Sequence, residues 1–191
     1  MSWNNCGAMS TDLHQRAGGI QPLPHFIYTC PQCGYTADSN GFDLCKIDKK
    51  IQQLIKENLR SFAKDERIPG YVKYDFAARI ATWKNECYFA IGDLYLKAAW
   101  SCNDCRERKK EKFYRCKAVE YFEKAIEAEE VSRQELILCS YLIAENNRRN
   151  GKTAIARQWF DRTISFAETT SMREFIELAI QQRDFPKEYI T

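Results

Sequence analysis

The sequence predicts a mainly α-helical protein: antiparallel helical hairpins behind a small N-terminal element centred on a Cys-x2-Cys turn. Three observations carry this expectation. From Asp75 almost to the end, apolar residues recur at the three- and four-residue spacing of a helix face. Within that stretch a small–aromatic–small signature occurs twice, at an offset of 38 residues. Before it, Cys30-Pro31-Gln32-Cys33-Gly34-Tyr35 sets two thiols two residues apart on a chain primed to turn. Composition bounds the answer: 191 residues, 45% apolar and 29% charged, describe a soluble globular chain able to bury one core or one core plus an appendage. A net charge of +3 is too slight to mark a nucleic-acid binder. No apolar run approaches membrane-spanning length, and the start has no basic region followed by an apolar core, so the expected location is cytoplasmic. In a reducing compartment nine cysteines read as metal ligands, reactive thiols or small buried residues, not disulfides.

Residues 1–43 are read as an irregular N-terminal segment carrying the turn. Gly7, Gly18, Gly19, Pro22 and Pro24 punctuate it, and His25-Phe26-Ile27-Tyr28-Thr29 is a short strand candidate. Two thiolates at this spacing can grip one tetrahedral Zn²⁺ as a zinc knuckle, half of a site. Pro31 biases Cys30 toward an extended conformation, and Gly34 lets the chain turn beneath the second sulfur. Residues 44–191 form the helical domain, packed with the first segment as one unit. Asp43 is the expected cap of a helix running to about Lys64, with Ile47, Ile51, Leu54, Ile55, Leu59 and Phe62 on one face. A loop with Pro69-Gly70 leads to a helix from Asp75 to Trp83, a bend at Lys84-Asn85, and a helix from Glu86 to Ser101. The charged run from Arg106 to Lys112 interrupts the apolar pattern, which resumes at Phe113 and lasts to about Glu129. Ser132 with Glu135, and Ser171 with Glu174, have capping-box spacing. Gly151 ends one helix and Thr153 caps the next.

The repeated signature is Ala118, Phe122, Ala125 and Ala156, Phe160, Thr163. Small residues admit a close partner helix and the aromatic fills the gap, which resembles the second helix of a tetratricopeptide (TPR) repeat. Ile91-Gly92 with Tyr95, and Ile143-Ala144 with Asn147, fall where such repeats place Leu-Gly and Tyr. The expected architecture is two TPR-like hairpins, 86–130 and 133–168, with a capping helix at 172–184.

The order Thr11-Asp12-Leu13-His14, Gln21-Pro22-Leu23-Pro24, Cys30-Pro-x-Cys33-Gly34-Tyr35 and Leu94-Tyr95-Leu96-Lys97-Ala98-Ala99-Trp100 resembles the bacterial family grouped as domain of unknown function 2225. The likeness runs over roughly residues 3–184 and implies a fold but no activity. It also implies a further N-terminal Cys-Pro-x-Cys. This chain reads Trp3-Asn4-Asn5-Cys6 there and lacks one sulfur.

Cys102 and Cys105 form a second Cys-x2-Cys and are the expected partners of Cys30 and Cys33 on Zn²⁺. Cys6, His14 and Cys116 are the alternates, with His25 and Cys45 weaker candidates. Cys87 and Cys139 read as plain core residues. The expected function is a non-enzymatic, zinc-stabilised TPR-like scaffold binding a protein or peptide, with an acidic stretch or C-terminal carboxylate as its ligand. Phe89, Lys97, Tyr141, Glu145, Arg148 and Arg149 are the expected groove residues. One alternative is nucleic-acid binding through 106–117, where seven Lys/Arg face two Glu with Phe113 and Tyr114 alongside. Another is a thiol–disulfide oxidoreductase using Cys30 and Cys33. Two histidines, both N-terminal, leave little for hydrolytic catalysis.

Overall fold

In the computed structural model, which describes residues 6–43, 47–64, 67–168, 170 and 172–190, the chain divides into two compact units. One is Pro22–Tyr114; the other combines Met1–Gln21 with Arg115–Thr191. Among the described residues there are eight α-helices and four short strands, and the protein is mainly helical.

In the Pro22–Tyr114 unit the chain enters through a 3-10 turn at Leu23–His25, which takes up the first residue of the strand expected over His25–Thr29. Pro22 and Pro24 favour that turn because a fixed φ suits a tight helical start. Strand pairing is confined to β3 (Tyr28–Thr29) and β4 (Thr36–Ala37), which form an antiparallel hairpin around the Cys30–Gly34 turn. A short helix α1 (Ser39–Asp43) follows, then α2 (Lys49–Asn58). Asp48, not Asp43, caps α2: its Oδ1 accepts from the Ile51 N–H at 2.8 Å. Ile51, Ile55 and Leu59 are buried as their spacing requires, but α2 stops at Asn58. The chain then turns, with Phe62 and Ala63 N–H groups returning to the Leu59 carbonyl, and this leaves Phe62 outside.

Helix α3 (Gly70–Trp83) starts five residues earlier than its periodicity suggested, with Pro69 at the N-cap. Tyr74 donates to the Leu23 carbonyl at 2.9 Å and Lys73 to that of Pro24 at 3.2 Å, fastening α3 to the 3-10 turn. Asn85 takes a left-handed conformation (φ 54°) between α3 and α4 (Tyr88–Asp104), the expected bend. Cys87 is the N-cap of α4 and is exposed, so it is not a core residue; Cys139 is. Helices α3 and α4 pack together, and Tyr35, Ile51, Ile55, Leu59, Phe76 and Ile80 form one buried cluster.

The charged run is not a break. Helix α5 (Arg108–Glu127) begins inside it, because Lys, Arg and Glu are good helix formers and a solvated helix face needs no apolar period. Only the segment around Arg106 (φ 62°) separates α4 from α5.

In the other unit, β1 (Cys6–Met9) and β2 (Gln15–Ala17) make an antiparallel ribbon in a stretch read as irregular. Helix α6 (Arg133–Arg149) opens on the complete capping box of Ser132 and Glu135. Gly151, at φ 81°, turns the chain into α7 (Thr153–Glu168), which packs on α6. Thr153 is already inside that helix and does not cap it. Helix α8 (Arg173–Asp184) packs on α7 with Met172 at its N-cap; Ser171 lies outside the described residues.

Candidate functional site

Two places concentrate chemistry, one in each unit. The first is the Cys30–Gly34 turn. The Cys30 N–H donates to the Tyr35 carbonyl and the Gly34 N–H to the Cys30 carbonyl, both at 2.8 Å. The Tyr35 N–H points at Cys33 Sγ, 3.5 Å away. Gly34 has φ 88°, and a Cβ there would stand 3.0 Å from the backbone of Leu59 and Arg60 at the end of α2. Both the turn and its packing therefore disfavour a side chain at this position.

Burial pushes the Cys30 thiol up, but the N–H groups of Cys33 and Gln32 and the Cys33 side chain outweigh it, so its pKa lies below that of an ordinary thiol. Cys30 and Cys33 line an open hollow of about 930 Å³ together with Phe42, Ile47, Ile55 and Asp48. The turn is thus a pair of soft donors backed by an apolar wall, and two thiolates so placed suit half of a tetrahedral zinc shell.

The described residues do not bring a third donor to this pair. Among them, no three His, Cys, Asp or Glu side chains form a metal-holding group. Cys102 lies buried in the last turn of α4, where burial chiefly, with the neighbouring Cys105 and Glu111, pushes its thiol up to about 12. Cys105 is the exposed C-cap of α4, and its thiol is also raised by burial. His25 ends the 3-10 turn. Cys6, His14 and Cys116 belong to the other unit, and Cys45 lies outside the described residues. Cys116 is exposed and its sulfur accepts from Asn150 Nδ2 at 3.3 Å.

The second place is a buried polar cluster that sequence reasoning missed. Asp12 Oδ2 accepts from Arg115 Nη2 at 2.7 Å, and Arg115 Nη1 donates to Asn146 Oδ1 at 2.7 Å. The Ser10 hydroxyl donates to Asp12 Oδ1. Glu145 accepts from the Thr11 hydroxyl, from Arg148 Nε and Nη2, and from Arg149 Nε, all within 2.8 Å. Tyr141 donates its hydroxyl to the Thr11 carbonyl. The carbonyl of Glu188 accepts from the Thr11 N–H at 3.0 Å, and Arg149 reaches the Glu188 carboxylate at 3.3 Å. Burial disfavours the Asp12 carboxylate, yet Arg115 and Arg149 overcome it and hold its pKa far below the usual range. His14 is lowered to about 4, by burial first and then by Arg16, Arg115 and Arg149 against the opposing pull of Asp12.

This cluster corrects the expected groove. Tyr141 and Glu145 are fully buried, and Arg148 and Arg149 point inward to Glu145 instead of outward to a ligand. Their i,i+3 and i,i+4 spacing to Glu145 resembles a solvated helix pair, but Thr11, Asp12 and Glu188 come from both chain ends to cover it. Phe89 and Lys97 lie in the other unit, half-buried, with Lys97 paired to Asp93 at 2.6 Å. The basic segment 106–117 is likewise reduced: Arg115 is internal and Lys117 pairs with Glu120 at 2.9 Å. Tyr114 is buried and stacks on Tyr95, while Phe113 is exposed. No described helix is long and apolar enough to cross a membrane.

Fold and sites together define a small helical protein with a charged, buried lock between its N- and C-terminal segments and a paired-thiol turn between two short strands. It belongs to the family described as uncharacterized protein conserved in bacteria (DUF2225), whose model matches residues 5–185. No curated protein and no solved structure matches the chain.

Proposed function

We propose that the protein is a non-enzymatic helical scaffold, stabilised by Zn²⁺ held through Cys30 and Cys33, that binds a protein or peptide partner. The observation that carries the reading is the turn itself. Gly34 in a left-handed conformation and the Tyr35 N–H aimed at Cys33 Sγ are what a zinc knuckle requires. Zinc in a closed site supplies a cross-link and no reacting position. Two further ligands complete such a site, with Cys102, Cys105, Cys6, His14, Cys116 and Cys45 as the candidates. Cys102 and His14 are buried, each packed inside its own unit.

The helical part is read as TPR-like. Ala156, Phe160 and Thr163 are buried on α7, and the Phe160 ring lies 5.9 Å from that of Tyr141 on α6, as a small–aromatic–small face packing on its leading helix requires. The non-enzymatic reading is supported by the Asp12–Glu145 cluster, whose charged groups satisfy one another. A cytoplasmic location accords with the many free thiols.

The test combines metal analysis of protein purified without added metal with affinity capture from native extract. About one zinc per chain and a reproducible partner are expected. Dithiol–disulfide turnover abolished by Cys30→Ser would overturn the non-enzymatic reading.

A further inference from the structure

Phe62 and Phe113 lie 51 positions apart, yet both rings are largely exposed, at 62% and 54%, and both line one open hollow of about 490 Å³. Single exposed aromatics are ordinary on a protein surface. Two sharing a concavity with Arg79, Lys109 and Lys110 are not. The wall between them is apolar, formed by Val72 and the buried ring of Phe76, which Phe62 meets at 6.4 Å between centroids.

The charge placement runs against local preference. Arg108, Lys109 and Lys110 open α5, where the helix dipole favours anions, and Glu107 and Glu111 offset them only in part. Lys110 is held at the rim, its Nζ 2.7 Å from the Tyr71 hydroxyl and 4.6 Å from the centre of that ring. Lys109 is exposed and has no ion-pair partner among the described residues. Cations arranged against a helix N-terminus cost stability that a bound carboxylate relieves, and such local conflicts concentrate at binding sites.

We infer that this hollow receives an acidic protein segment carrying one bulky apolar side chain. The anchor packs against Phe62, Phe76 and Phe113, and carboxylates on either side of it pair with Arg79, Lys109 and Lys110. The inference rests on the partner-binding reading above and names the surface and the chemistry of the partner. A single nucleic-acid strand fits less well. It needs flat rings along a continuous basic track, whereas here the rings flank an apolar hollow walled by Val72 and Phe76.

Fluorescence anisotropy with a labelled synthetic peptide of Asp and Glu around a single Phe tests this. Comparators are the same peptide with Asn and Gln, the acidic peptide with Ala for Phe, and an oligothymidylate. The acidic anchored peptide should bind about tenfold more tightly than each comparator, and Lys109→Glu and Phe113→Ala should each weaken it about tenfold, with circular dichroism unchanged. Absence of peptide binding, binding indifferent to both substitutions, or preference for oligothymidylate would overturn the inference. Capture from native extract separates the two claims. A partner retained equally by wild type and both variants keeps the scaffold reading and removes this surface; no partner for wild type removes the scaffold reading itself.

Discussion

Arg115 Nη2 lies 2.7 Å from Asp12 Oδ2, and the two side chains retain only 1% and 2% of their exposure. The pair spans 103 positions of sequence and joins the N-terminal turn to α5. Neither charge has water to fall back on, so each depends on the other. Breaking such a buried pair by removing one partner costs about 3–5 kcal/mol, because the survivor stays buried and uncompensated. Arg115→Met should therefore lower the urea midpoint strongly. Asp12→Leu with Arg115→Met, which removes both charges, should recover much of the loss.

The same cluster sets an acid limit on stability. His14 is neutral in the fold, lowered from 6.5 to about 4, so between those values the unfolded chain binds more protons than the folded one. Stability contributed by this group is complete above pH 6.5 and falls as pH drops toward 4, by up to about 3 kcal/mol. Asp12, depressed below its unfolded value, holds its contribution above the ordinary carboxylate pKa and loses it only in stronger acid. Chemical denaturation at successive pH values should show two descending stages. His14→Gln should erase the upper one and leave the lower.

Arg148 and Arg149 act as internal clamps. Both pair with the fully buried Glu145, and Arg149 also reaches Thr11 and Glu188. Changing both to Ala strands that carboxylate and should destabilise the chain by about 3 kcal/mol or more. Glu145→Gln in the double-Ala background should restore part of it. Thermal unfolding of the three variants reads both effects.

Gly34→Ala tests whether the thiol turn is rigid. Its φ of 88° and the 3.0 Å approach to Leu59 and Arg60 predict a loss of roughly 1–3 kcal/mol. The same change should weaken metal retention, because the second sulfur can no longer face the first. Gly151, equally left-handed but with open space around it, should tolerate Ala with a smaller loss in the same unfolding assay.

Much of the helical architecture was legible because its signals are local. Ser132 with Glu135 and Gly151 announce their helix ends through backbone chemistry within four residues. The Cys30–Gly34 turn was legible for the same reason: Pro31 and Gly34 prescribe it. The buried cluster was not legible, since its members look ordinary in isolation. Thr11-Asp12-Leu13-His14 sits in a glycine-rich stretch that reads as loop. Glu145 with Arg148 and Arg149 has the spacing of a solvated helix pair. Their burial depends on contacts 130 and more positions apart, which no local period encodes. One signal was available: Glu145 directly follows Leu142-Ile143-Ala144, an apolar run too continuous for a helix with one wet face. Phe62 failed in the opposite direction, matching a buried period that α2 does not live to complete.

Zinc content per chain, measured on protein purified without added metal, tests the central claim most directly. The paired variants Cys30→Ser/Cys33→Ser, Cys102→Ser/Cys105→Ser and Cys6→Ser/His14→Gln, with single Cys116→Ser and Cys45→Ser, identify the ligands. The account predicts about one zinc in the wild type, lost in the first variant and in whichever set completes the site. A wild type that holds no zinc and takes up none when it is supplied, or full retention in the Cys30→Ser/Cys33→Ser variant, would contradict it.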